Sequence, residues 1–272
     1  MNTDGEKTPT ILDRIVATKR EEIAKAKESR PESELRARLK DAPPVRNFFE
    51  PLAADGPIKL IAEVKKASPS KGVIRADFDP LAIARIYAAH GATCLSVLTD
   101  EKYFQGNLRF LSDIRGKVSL PILRKDFILD SYQLLEARVA GADAVLLIAE
   151  CLDDCNLRKL HNESIELGMT PLVELYEPQN LERVLEAGAT LIGINNRDLR
   201  TFQVDLHHTL RMKRQIPTEC VVVGESGIHG RDDALLLERG GINAILVGEH
   251  LMAQADIGSA VDRLLGIGTA AT

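Results

Sequence analysis

No apolar run in this chain approaches the roughly 20 residues that a membrane-spanning helix needs, which argues against a membrane partner. The opening Met1–Thr10 is polar and acidic and lacks the apolar centre of a signal peptide. Like-signed charge never accumulates. The 35 Lys and Arg against 40 Asp and Glu give a net charge of −5, and basic residues come in pairs such as Lys19-Arg20 and Lys65-Lys66. Nothing here is an electrostatic footprint for nucleic acid. Cysteine is scarce. Cys94 and Cys220 lie inside apolar runs, and no His/Cys pair follows Cys151 and Cys155 at zinc spacing, so no metal site is expected. Four unpaired thiols fit a reducing, cytoplasmic setting. No nucleophilic cysteine or Ser–His pair is evident. None of His90, His161, His207, His208, His229 and His250 ends an apolar run, and His207-His208 reads as a solvated helix start.

What the chain does have is a repeat. Eight short apolar runs occur at Leu60–Val64, Cys94–Leu98, Leu120–Leu123, Ala144–Ile148, Pro171–Val173, Leu191–Ile194, Cys220–Val223 and Ala244–Val247. Their ends are 21 to 34 residues apart, room for one buried strand and one covering helix each time. Several helices close on one phrase, as in Ala140-Gly141-Ala142-Asp143 and Ala187-Gly188-Ala189-Thr190, where glycine takes the left-handed cap and a strand follows. Asp79-Pro80 supplies a helix N-cap with proline behind it. The reading is an α/β chain, a (β/α)8 TIM barrel over 59–272 with an N-terminal helical extension over 1–58 packed on the barrel mouth. A solenoid would repeat its residue types, and these run ends differ from copy to copy. A doubly wound open sheet is the alternative. It usually carries a glycine-rich turn after its first strand, where this chain has Lys65-Lys66-Ala67-Ser68-Pro69-Ser70.

Within the extension, Thr10 and Asp13 form a capping box ahead of an amphipathic helix. Ile11, Leu12, Ile15, Val16, Ile23 and Ala26 share one face, with Lys19, Arg20, Glu21, Glu22 and Lys25 mainly off it. Pro31 ends that helix, a shorter one follows around Ser33–Lys40, and Ala42-Pro43-Pro44 stops it. Phe48 and Phe49 then either pack the extension onto the barrel or line a site beneath it.

Barrel enzymes build their sites at the C-terminal strand ends. Here those ends carry Glu63 and Lys65, Lys125, Glu174, Asn195 with Arg197, and Glu225 with Ser226. Burying so many charges without a task is costly. Gly224-Glu225-Ser226-Gly227 and Gly248-Glu249 follow the last two strands, where backbone N–H groups commonly bind phosphate. A lysine acid beside carboxylate bases suits a carbonyl reaction on a small phosphorylated molecule. Schiff-base chemistry at Lys125 stays open, as do a sugar-phosphate isomerase and a non-catalytic barrel that binds a phosphorylated metabolite.

The segment Ile61-Ala62-Glu63-Val64-Lys65-Lys66-Ala67-Ser68-Pro69-Ser70-Lys71-Gly72 resembles the first-strand signature of indole-3-glycerol phosphate synthases. Leu123-Arg124-Lys125-Asp126-Phe127-Ile128, Leu172-Val173-Glu174, Gly193-Ile194-Asn195-Asn196-Arg197-Asp198-Leu199 and Gly224-Glu225-Ser226-Gly227-Ile228 resemble later motifs of that family, in its order. The resemblance implies closure of 1-(2-carboxyphenylamino)-1-deoxyribulose 5-phosphate to indole-3-glycerol phosphate with loss of carbon dioxide and water, in tryptophan biosynthesis, without cofactor or metal. It implies Lys125 as general acid, Glu174 as base, Lys65 as an anion partner, Glu63 as second carboxylate, and Asn195 and Arg197 as holders of the intermediate. Ser68, Glu225 and Ser226 become substrate contacts, Gly227, Gly248 and Glu249 the phosphate site, and Phe104, Phe127 and Leu199 walls of an aromatic slot. His250 is bulkier than the small residue the family often has there. A monomer is the expected state.

Overall fold

The computed structural model describes residues 10–198 and 200–268. Eight parallel strands close on themselves: β1 (Lys59–Val64), β2 (Cys94–Leu98), β3 (Ile122–Lys125), β4 (Ala144–Ile148), β5 (Thr170–Leu175), β6 (Leu191–Asn195), β7 (Val221–Glu225) and β8 (Ala244–Val247). β1 pairs with both β2 and β8, so the barrel has no open edge. Helices cover the outside, which buries both faces of each strand and accounts for the continuous apolar runs. The expected (β/α)8 architecture is therefore present.

Strand bounds differ from expectation most at β3. Pro121 has no N–H to add to a ladder, so the strand begins at Ile122 and continues through Arg124 and Lys125. Arg124 is buried there because Gln133 O, Asp126 and Glu136 take its guanidinium hydrogens. The helix-stop phrase behaves as read: Gly141 caps Ser131–Ala140 at φ 90°.

Inside the barrel, period-two alternation sets the function. Ile61, Leu123, Leu172, Val223 and Leu246 fill the lumen. Two residues further along the same strands stand Glu63, Lys125, Glu174 and Glu225, and after β8 Gly248. An apolar floor thus supports a charged rim, with no change in strand direction.

Helix α1 (Ile11–Ser29) starts on the Thr10/Asp13 capping box and presents Ile11, Leu12 and Ile15 to the mouth. The chain then descends the outside. Helix α2 (Glu32–Arg38) packs Leu35 against Tyr132 and Leu135, and the Tyr132 hydroxyl donates to the carbonyls of Ala26 and Arg30. The Phe48-Phe49 segment packs the extension onto the barrel, the first of its two readings, but at the end opposite the mouth, which corrects the expected position of this part of the extension. Phe48 and Leu52, the latter on α3 (Phe49–Ala53), are fully buried in the lumen cluster, and Phe48 O lies 3.9 Å from Cys94 Sγ at the start of β2. They close the N-terminal end of the barrel, because the small residues there, Cys94, Ala144 and Ala244, leave volume that a phenyl ring fills.

Asp143 anchors this lower end. Its carboxylate accepts from Arg46 N at 2.6 Å, Ile122 N at 2.8 Å and Arg115 Nη1 at 2.5 Å, and it is fully buried. Asp143→Ala strands one guanidinium, that of Arg115, and the two amides of Arg46 and Ile122. It is expected to cost about 3–5 kcal/mol in unfolding free energy, read from urea titration at neutral pH.

Candidate active site

The strand ends converge. Lys125 Nζ lies 2.5 Å from Glu174 Oε2 and 2.9 Å from Glu225 Oε2, bridging β3 to β5 and β7. Asn195 Nδ2 donates to the other Glu174 oxygen at 3.1 Å. Lys65 Nζ pairs with Glu63 Oε2 at 2.6 Å. These groups line one cavity, together with Ser68, Phe104, Phe127, Arg197, Ser226, Gly227, Gly248 and Glu249. Every residue expected in the site thus borders the same space, except Leu199, which lies outside the described residues. Two glycines make room for the acids: a Cβ on Gly193 would strike Glu225 Oε1, and one on Gly248 would strike Glu63 Oε2.

The electrostatics separate the two acids flanking Lys125. Burial alone would drive the ammonium toward its neutral form, but Glu174, Glu225 and Glu63 outweigh burial and hold its pKa above the ordinary lysine value. Burial likewise opposes the Glu174 carboxylate, and Lys125 with Asn195 more than offsets it, so Glu174 stays ionised. Glu225 goes the other way. Burial, with the charge of Glu174 beside it, raises its pKa to about 8 despite Lys125. Its Oε1 faces no hydrogen-bond donor. Around Lys125 the two acids are therefore pushed apart, Glu174 toward the carboxylate and Glu225 toward the protonated acid.

That assignment makes stability depend on pH. The native state keeps a proton on Glu225 that the unfolded chain releases near the ordinary value of 4.5. Its contribution is complete below that pH and is lost as pH climbs toward about 8. Melting temperature is expected to fall across this window, and Glu225→Gln to flatten the fall, as read by calorimetry in a pH series.

At the opposite side of the mouth, Ser226 and Gly227 take φ of 66° and 77°, turning the chain directly after β7. Glu249 opens a short helix after β8 and pairs with Arg197 at 3.4 Å and Lys71 at 3.8 Å. Above it, Ala67–Ser68 and Gly72–Val73 form a small antiparallel hairpin in the loop after β1.

Sequence reasoning missed several lining groups. His229 and His250 both border the cavity, their rings edge to face with centroids 6.0 Å apart. His250 thus leaves the strand and helix geometry intact and finds a ring partner. Burial, then His229, lowers its pKa. Phe202 and the apolar face of α1 also contribute to the wall. His208 corrects the reading of a solvated pair: it is buried, with Nε2 donating to Tyr176 O at 2.7 Å. Lys19 is a further correction. It falls on the buried face of α1, between Ile15 and Ile23, because Asp100 and Asp126 each offer it an oxygen at 2.9 Å.

A closed parallel barrel that gathers ammonium and carboxylate groups from four strand ends around one cavity belongs to the (β/α)8-barrel enzymes that work at the strand C-termini. Its fold is that of 3-hexulose-6-phosphate synthase (TM-score 0.63, 15% identity, covering 77% of this chain and 99% of that one). KGPDC from Streptococcus mutans is a second neighbour in fold (TM-score 0.59, 13% identity, 76% and 95% covered). The particular family comes from sequence: the family described as indole-3-glycerol phosphate synthase matches residues 12–264, and the chain belongs to it. The indole-3-glycerol phosphate synthase of Rhodopirellula baltica is 56% identical over 256 residues, covering 94% of this chain and 99% of that protein. That of a Polaromonas species is 47% identical over 260 residues, with 94% and 98% covered. Among the described residues, no helix is long and apolar enough to cross a membrane.

Proposed function

We propose that this chain is an indole-3-glycerol phosphate synthase of tryptophan biosynthesis. It closes 1-(2-carboxyphenylamino)-1-deoxyribulose 5-phosphate to indole-3-glycerol phosphate, releasing carbon dioxide and water. The observation that carries this reading is the 2.5 Å contact of Lys125 Nζ with Glu174 Oε2 at the floor of the cavity.

The phosphate sits against the turn Ser226-Gly227 and the Gly248-Glu249 backbone, and this remote binding holds the flexible sugar chain folded. The aromatic ring occupies the slot of Phe104 and Phe127, whose centroids are 6.1 Å apart, with Leu199 as a further wall. Lys65 faces the substrate carboxylate. The ring carbon then attacks the ketone, and Lys125 protonates the oxygen that becomes a hydroxyl. The C–C bond to the carboxylate breaks as carbon dioxide leaves and its electron pair restores the ring. Glu174 stabilises the positive charge at nitrogen; the hydroxyl then leaves as water with a proton from the Lys65–Glu63 pair, and Glu174 accepts the proton lost from the ring C–H beside nitrogen. Glu63 holds Lys65 and serves the dehydration. Asn195 and Arg197 fix the intermediate, and Ser68, Glu225 and Ser226 line it.

The chemistry drawn here uses amino-acid side chains alone, with no metal or cofactor. The free thiols support a cytoplasmic setting, and we take the working unit as a monomer of 29.8 kDa. Adding the substrate to purified protein is expected to produce indole fluorescence and an equivalent of carbon dioxide. Folded protein that yields neither overturns the reading, and an isomerised sugar without either product would point to a sugar-phosphate isomerase instead.

A further inference from the structure

One buried cation lies outside the proton-transfer set and touches three parts of the mouth. Lys19 Nζ, from α1, is 2.9 Å from Asp100 Oδ2, 2.9 Å from Asp126 Oδ1 and 2.7 Å from Glu22 Oε2. Asp100 follows β2, and its other oxygen caps the turn Glu101–Phe104 through Tyr103 N at 2.8 Å. That turn carries Phe104. Asp126 directly follows Lys125 and precedes Phe127, whose N–H its Oδ1 also accepts at 2.8 Å. Its Oδ2 is held by Thr99 Oγ1 at 2.5 Å and Arg124 Nη2 at 3.1 Å. Tyr103 adds a second tie, its hydroxyl 2.9 Å from Thr18 Oγ1 and 3.2 Å from Arg14 O.

The ammonium therefore joins the roof helix, the segment bearing one aromatic wall, and the segment bearing both the other wall and Lys125. We propose that Lys19 is a positioning residue for the ring closure: it fixes the Phe104–Phe127 slot and the backbone of Lys125 relative to each other through Asp100 and Asp126. The inference rests on the synthase reading above. The physical reason is leverage. Two buried carboxylates from separate loops repel each other unless a cation lies between them, and a loss of about 1 Å in alignment of reacting groups costs up to about a hundredfold in rate.

The test compares four variants with wild type in the indole fluorescence assay, with thermal melts alongside. Lys19→Met keeps the apolar stem and removes the charge. It is expected to lower kcat about tenfold to a hundredfold with KM changed less than about threefold, since the phosphate turn is untouched. Lys19→Arg should recover kcat to within about threefold of wild type, because a guanidinium also bridges two carboxylates. Lys19→Met/Asp100→Asn relieves the stranded charge while keeping the cap on Tyr103. It is expected to regain melting temperature but not kcat. Ile23→Ala truncates a buried residue on the same helix, away from the mouth, and is expected to lose stability with kcat within about twofold. The proposal falls if Lys19→Met keeps kcat within about twofold of wild type, if the double variant regains turnover along with stability, or if Ile23→Ala loses as much turnover as Lys19→Met. Wild-type protein that forms no indole product fails the synthase reading itself, a separate result.

Discussion

Lys125→Met is expected to lower kcat by about a thousandfold, within the 10²–10⁴ that a positioned general acid typically supplies. Methionine keeps the length of the side chain and removes its only proton donor, so the ketone oxygen would have to take its proton from water. The same change leaves Glu174 and Glu225 facing each other without the cation now 2.5 and 2.9 Å away. Two buried carboxyls in contact do not both ionise, and without the ammonium the pair is expected to hold its one proton to higher pH than in wild type. Far-ultraviolet circular dichroism should remain native, and the loss should appear in turnover per folded molecule. Lys125→Arg separates charge from geometry. It restores a cation but one too basic and too wide to hand over a proton at that point, and its turnover should stay near that of the methionine variant. Near-normal turnover in either variant would reject Lys125 as the acid.

Glu174→Gln is expected to lower kcat about a hundredfold to a thousandfold, with a small change in KM. The amide preserves the shape and still accepts a hydrogen bond from Asn195 or Lys125, but it takes no proton. The pH profile adds an independent readout. Lys125 and Asn195 hold the wild-type carboxyl below the ordinary glutamate range, so the acid limb of wild-type kcat should fall at unusually low pH. In the glutamine variant that limb should be absent. A wild-type limb near neutrality would transfer the base role to Glu225, whose pKa is raised to about 8 by burial and by Glu174.

Lys125 and Glu174 are both legible in the sequence, and the reason is periodicity. Strand side chains alternate, so a charged residue two places beyond an apolar lumen residue must enter the mouth. Ile61 and Glu63, Leu123 and Lys125, Leu172 and Glu174, and Val223 and Glu225 are four such pairs. Lys19 and Phe48 were misplaced for the converse reason. A helix pattern scores a lysine as solvent-facing, whereas Lys19 is buried because Asp100 and Asp126, remote in sequence, neutralise it. Phe48 reads only as a large apolar residue before the barrel. Which end it plugs depends on the route of the extension, fixed in part by Arg46 N on Asp143 and Arg46 Nη1 on Val118 O and Leu120 O. His208 was misread similarly, since its partner is a backbone carbonyl of another loop.

Local order alone determined the number of strands, the helix stops, the capping box and the chemical identity of the rim. Those properties follow from short-range periodicity and from the dihedral limits of glycine and proline. Only the tertiary structure decided which acid carries the proton, which end the phenyl ring closes and where the buried cation of the first helix lies. Charge states and burial are set by neighbours across space, and barrel closure alone brings Lys125, Glu174 and Glu225 within bonding distance of one another.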